Sequence, residues 1–173
     1  SNKPGGFGGK DLYLSRRLPG TFGFGNAINL GPEINTPDDE DSPFIHPDGR
    51  TLYFSSKGHK TMGGYDIFKS VKEGQKGKWS APVNMGAPIN TPEDDIYFVL
   101  SADGKRGYYS SAKDRGFGDK DIYIINMPEE TQLAQVIVLK GVIKDKISGK
   151  PVGAKIIIRD NETSEIVSIM DAN

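Results

Sequence analysis

The sequence predicts an all-β protein: part of a β-propeller with four-stranded blades, followed by the start of a β-sandwich. Three observations carry that prediction. The phrase "GGKDLY" (Gly8 to Tyr13) returns as "GGYDIF" (Gly63 to Phe68) and "GDKDIY" (Gly118 to Tyr123), at a constant spacing of 55 residues. Each full period divides into four short strand-like segments, and none shows the 3.6-residue apolar period of a helix. Gly (22) and Pro (11) together make up nearly a fifth of the 173 residues, which suits short strands joined by many turns.

The match between periods runs well beyond the phrase. "INTPDDEDSPFIHPDGRTLYFSS" (Ile34 to Ser56) aligns without a gap to "INTPEDDIYFVLSADGKRGYYSS" (Ile89 to Ser111), and "NAINLGPEINTP" (Asn26 to Pro37) to "APVNMGAPINTP" (Ala81 to Pro92). Residues 1–33 align with the middle of a period and supply the third and fourth strands of a first blade. Residues 41–90 supply a whole blade. There, "SPFIHP" ends at a proline and Asp48-Gly49 makes a turn, because glycine accepts the positive φ that such a turn requires. "TLYFSS" follows, with Leu52 and Phe54 on one face and Tyr53 and Ser55 on the other. A polar loop leads to "YDIFKSV", and a charged turn to "WSAPVNMG". Residues 95–127 supply three strands of another blade, with Asp103-Gly104 at the matching turn.

Within the repeated phrase, Gly8, Gly9, Gly63, Gly64 and Gly118 are expected to let the backbone turn tightly into the third strand. Asp11, Asp66 and Asp121 are expected to tie the loop to backbone N–H groups. Three equivalent aspartates in three blades would not meet in one catalytic site. Residues 128–135 read as a polar linker. Residues 136–173 hold three strand-like segments, "VIVLKGVIKD", "AKIIIRD" and "IVSIMD", taken as a truncated sandwich. Closed propellers use four to eight blades. The phase of the repeat therefore leads to the expectation of a piece of a longer protein, cut inside both domains.

Several function classes lose support from composition. A net charge of −1 offers no global field for nucleic acid, and no apolar run approaches the roughly 20 residues that a spanning helix needs. With no cysteine, thiol chemistry and disulfides are excluded. The acidic runs at 38–41 and 93–95 lack the alternating ligands, central glycine and distal glutamate of an EF-hand loop. His46 and His59 have Ser101 and Asp114 as repeat counterparts, so no zinc ligand set repeats with them. No nucleophile elbow, P-loop or H-E-x-x-H is present. The reading is thus of no catalytic, metal or cofactor-binding residues and of a protein that is not an enzyme. The basic and aromatic residues between second and third strands, Lys57, His59, Lys60, Lys113, Arg115 and Phe117, form the candidate interaction rim, since binding residues concentrate on loops held by a rigid scaffold.

"PDGRTLYFSS", "GGYDIF", "WSAPVNMGAPINTP" and "DGKRGYYSS" resemble the WD-like, TolB-type propeller repeats of OmpA-family envelope proteins of Bacteroidetes. "LKGVIKDKISGKPVGAKIIIRD" is similar to the opening of a carboxypeptidase-regulatory-like domain, a transthyretin-like sandwich. The resemblance implies a periplasmic, outer-membrane-associated scaffold whose partners are other cell-envelope or secretion-system proteins, with a possible link to type IX secretion. It implies peptidoglycan contact only through a module absent from these residues. The rival expectations are a propeller that binds glycans or peptides, and a propeller hydrolase or the gate of a peptidase.

Overall fold

The computed structural model describes residues 1–18, 20–74, 77–113, 116–129, 141–159, 164 and 166–172. The chain is all-β, with no α-helix among the described residues. It divides into two compact units, Ser1–Val136 and Ile137–Asn173.

In the first unit, β1 (Tyr13–Leu14) pairs antiparallel with β2 (Ile28–Asn29). Next come β3 (Glu40–Ile45), β4 (Thr51–Ser56), β5 (Asp66–Val71) and β6 (Val83–Asn84), a four-stranded antiparallel meander in chain order. The strands β7 (Asp95–Leu100), β8 (Arg106–Ser111) and β9 (Asp121–Asn126) repeat the first three strands of that meander.

The repetition reaches the register. Glu40 lies opposite Ser56 and Ile45 opposite Leu52; Asp95 lies opposite Ser111 and Leu100 opposite Gly107. Both hairpins carry a bulge, between Asp41 and Phe44 and between Ile96 and Val99. Ser42 (φ 49°) and Tyr97 (φ 61°) occupy the left-handed region there, again 55 residues apart. Both hairpin turns follow their sequence logic. Gly49 and Gly104 sit at φ 68° and 70°. The Asp48 carboxylate accepts the N–H groups of Arg50 (2.8 Å) and Thr51 (2.9 Å), and Asp103 accepts that of Lys105 (3.1 Å).

Strand β4 is buried along its whole length, and its alternation explains how the sheets stack. Leu52 and Phe54 join Leu12, Ile34 and Phe68 in one apolar cluster, shared with the β1–β2 pair and the segment after it. Tyr53 points the other way and joins Ile67, Ile89, Phe98, Leu100, Tyr109 and Met127 against the β7–β9 sheet. The middle sheet is therefore covered on both faces by its repeat neighbours. Each such buried side chain contributes about 1.5–3 kcal/mol relative to exposure. Among the described residues the outer face of β9 has no such cover: Ile122 is 80% exposed, whereas its counterpart Ile67 is 0% exposed.

In the second unit, β10 (Ala154–Arg159) pairs antiparallel with β11 (Ile166–Ala172), with a register shift between Ile158 and Arg159. A tight turn precedes them, closed by Asp145 N–H donating to Lys150 O at 2.9 Å and by a bridge between Lys144 and Pro151. The first half of the expected first strand of the sandwich, and most of the expected linker, fall at 130–140 and lie outside the described residues.

Candidate functional site

The three copies of the repeated phrase fold into the same loop. Asp11 Oδ2 accepts the N–H of Phe7, Asp66 Oδ2 that of Met62 and Asp121 Oδ2 that of Phe117, each at 2.7 Å. The carboxylate thus pins the residue four positions before it. In the first two copies a chain of amides backs this anchor. Asn29 and Asn84 each donate from Nδ2 to the same Asp Oδ2, at 2.7 Å. Their Oδ1 atoms accept from Asn35 and Asn90, again at 2.7 Å. Asn35 and Asn90 are buried and bridge both backbone polar groups of Leu12 and Ile67, at 2.7–3.0 Å. Buried amides with most of their capacity met stabilise a unique arrangement, because the alternative leaves unpaired groups in a low-dielectric interior.

The glycines mark a close approach between copies. Gly8, Gly9, Gly63 and Gly64 all lie outside the left-handed region, so no positive φ requires them. They let the loop of one copy touch the lead-in segment of the next. A Cβ at Gly8 would lie 2.4 Å from the carbonyl oxygens of Thr36 and Asp38, and one at Gly63 would lie 2.0 Å from that of Pro92. At Gly9 and Gly64 it would strike Asp39 and Asp94 at 2.2 and 2.1 Å. Those two carboxylates accept the N–H groups of Lys10 (2.7 Å) and Tyr65 (3.0 Å) across the junction. Backbone bonds from Glu40 N–H to Lys10 O and from Asp95 N–H to Tyr65 O, both 2.7 Å, complete the clasp. At Gly118 a Cβ would meet nothing within 4 Å, and Asp119 stands where the earlier copies have Gly9 and Gly64.

A buried acid follows each clasp. Glu40 accepts Thr36 N–H (2.9 Å), the Thr36 hydroxyl (2.6 Å) and the Ser56 hydroxyl (2.8 Å). Burial nonetheless raises its pKa above the ordinary value, with the hydrogen bonds opposing. Asp95 takes the same two bonds from Thr91, at 2.6 and 2.9 Å. One methylene shorter, it fails to reach Ser111, so Asp95 Oδ1 and Ser111 Oγ are both buried without a partner. At the surface, the N–H of Tyr65 first and the Lys120 ammonium after it hold Asp94 below the ordinary carboxylate value.

The expected rim residues meet different fates. His59 faces inward: Nε2 contacts Ile34 O at 3.0 Å and its ring packs on Phe54 and Phe68. Lys113 Nζ donates to Pro88 O at 2.8 Å and sits between the rings of Tyr109 and Tyr123, 4.9 and 4.8 Å from their centroids. Lys57 lies 4.5 Å over the Tyr65 ring. Lys60 lines a groove of about 450 Å³ with Glu33, His59, Phe68, Pro82 and Asn84. Phe117 is fully exposed, and Arg115 lies outside the described residues. Asn29, Asn35, Asn84 and Asn90 were missed as functional positions, although "NLGPEIN" and "NMGAPIN" repeat at the common spacing. Among the described residues no three His, Asp or Glu side chains gather in a way that would hold a metal ion. Among the described residues no helix is long and apolar enough to cross a membrane.

Comparison of the chain with family models, with curated proteins and with solved structures finds no match.

Proposed function

We propose that the first unit is a run of β-propeller blades and that the protein is a non-enzymatic scaffold of the cell envelope. On this reading it is associated with the outer membrane on its periplasmic side and offers rigid loops to other envelope or secretion proteins. The sequence resemblance to OmpA-family envelope proteins supports the setting, including the possible link to type IX secretion and the regulatory-like sandwich for 136–173. The observation that carries the scaffold reading is the clasp, made twice with the same atoms. It joins one sheet to the next through backbone, and it spends the repeat's acids and amides on holding loops still. Loops fixed in this way bind with less ordering cost. The exposed outer face of β9 is the face on which a further copy of the repeat unit would stack, as β7–β9 stacks on the middle sheet.

Lysine cross-linking with mass spectrometry on intact cells expressing the protein tests the reading. Links from Lys57 or Lys60 to a defined set of envelope proteins are the expected result. Ready labelling of both lysines with links only inside the chain would remove the support. A second reading, a propeller that binds glycans or peptides, is favoured by the groove at Lys60, where an aromatic floor at Phe68 meets polar groups from Glu33, His59 and Asn84. Titration with glycan and peptide fragments addresses it.

A further inference from the structure

Lys69 breaks the repeat. Its counterparts 55 residues to either side are Leu14 and Ile124, so the repeat carries an apolar side chain at this position and the middle copy puts a cation there. Lys69 lies opposite Tyr53 of β4 and opposite Val83 of β6, so the three side chains form a row on one face of the middle sheet. The lysine is half-buried. Among the described residues its ammonium has no ion-pair, hydrogen-bond or ring partner.

A cavity of about 430 Å³ opens along that row, with Tyr53, Val71, Val83, Met85 and Met127 as its apolar wall. This volume and lining suit a small ligand with an apolar body, and unbranched methionines adapt to its shape. The polar groups decide which head that body carries. Ser80 is already engaged: its hydroxyl donates to Ala81 O (3.3 Å) and accepts the N–H of Val71 (3.1 Å). Asn84 is engaged too, donating to Lys60 O and Asp66 and accepting from Asn90. The Lys69 ammonium and the Tyr53 hydroxyl are left, and the hydroxyl is buried without a partner. Burial, with the Asp48 charge after it, pushes the phenol pKa up to about 12, so the group keeps its proton and donates. Asp48 does not compete for either donor, since its oxygens take the N–H groups of Arg50 and Thr51 and the Thr51 hydroxyl. An ammonium has no acceptor. Two unused donors on one face therefore call for an acceptor, and a carboxylate serves both. It makes a charge-assisted bond to the lysine and satisfies the buried hydroxyl.

We infer that this cavity binds a small amphiphilic carboxylate, whose aryl or short acyl body lies against Met85 and Met127 and whose head bonds to Lys69 and Tyr53. The inference is independent of the scaffold reading, since it needs neither a protein partner nor a closed propeller. Titration of the 173-residue chain with sodium octanoate tests it, followed through the isotope-labelled methyl signals of the four methionines. Saturable shifts at Met85 and Met127 are expected, with Met62 and Met170 unmoved. Octylammonium, the same body with a cationic head, is expected to bind about tenfold more weakly or worse. Lys69→Met keeps an apolar stem and is expected to weaken octanoate about tenfold. Tyr53→Phe removes only the hydroxyl and is expected to weaken it about threefold without lowering the melting temperature. Absence of saturable shifts below the micelle-forming range of octanoate overturns the inference, as do shifts spread equally over all four methionines. Equal affinity for octylammonium, or octanoate affinity unchanged in both variants, overturns it as well.

Discussion

Asn84 donates to Asp66 at 2.7 Å and accepts from Asn90 at 2.7 Å, and Asn29 stands in the same relation to Asp11 and Asn35. Three side chains thus carry one line of hydrogen bonds from a surface loop to the buried backbone of β5. Truncating the innermost member leaves the N–H of Ile67 without a partner, while its carbonyl keeps the N–H of Met85 at 3.0 Å. Asn90→Ala is expected to lower stability by about 1–3 kcal/mol. Urea unfolding checks this, and a loss within the scatter of ordinary surface substitutions would show that the line carries no weight.

Gly63 and Gly118 occupy the same repeat position in different surroundings. Alanine at Gly63 forces its Cβ against the Pro92 carbonyl, with only backbone there to yield. Gly63→Ala is expected to cost about 1–3 kcal/mol and Gly118→Ala less than about 0.5 kcal/mol. Equal effects in denaturant melts would mean that the close approach between copies is absent in solution.

Asp95 and Ser111 face each other across β7 and β8 with buried, unpartnered oxygens, where Glu40 and Ser56 are bonded. Asp95→Glu restores the missing methylene and is expected to stabilise by about 1 kcal/mol; Glu40→Asp is expected to destabilise by a similar amount. Paired thermal melts decide the matter, and a destabilising Asp95→Glu would point to a site too tight for the longer acid.

Glu40 gives a pH signature. Its pKa is raised in the fold by burial, so its contribution to stability is complete below the unfolded value near 4.5 and is lost as pH rises through the folded value. Asp48 and Asp94 have lowered values. For Asp48 burial opposes the shift, and the hydrogen bonds from Arg50 and Thr51 outweigh it. The contributions of these two hold above 3.8 and fade as pH falls below it, outside the Glu40 window. Glu40→Gln is therefore expected to flatten the decline in unfolding free energy from pH 4.5 towards neutrality. Parallel wild-type and variant curves across that range would contradict this assignment.

Lys60 and Lys113 were equivalent candidates from sequence, yet one lines an open groove and the other is held between two tyrosines. Acetylation by a water-soluble ester, followed by mass spectrometry, is expected to modify Lys60 several-fold faster. Similar rates would mean that the tyrosine cage is open in solution.

The all-β class was legible because a 55-residue spacing and period-2 alternation are local patterns, and the buried strand β4 wears its two faces openly as Leu52, Tyr53 and Phe54. The purpose of Gly8 and Gly63 was not, because the atoms that exclude a side chain there belong to Thr36, Asp38 and Pro92, far along the chain. Ser42 and Tyr97 give no sign of positive φ, since neither residue type favours it. The asparagines carry no signal of their own beyond their shared spacing, and only their distances show one connected line. In the third copy the corresponding positions hold Leu139 and Asp145, of which Leu139 lies outside the described residues, and the pattern fades there in the sequence as well.

The aspartate in each loop grips a peptide N–H and leaves the attached side chain alone. The hold on the loop and the identity of its exposed tip are thereby written in different atoms of the same residue. Phe7, Met62 and Phe117 already differ at this position while the bond to the aspartate stays at 2.7 Å. Tips can accordingly be exchanged one at a time, by natural drift or by grafting, while the frame that carries them goes unedited.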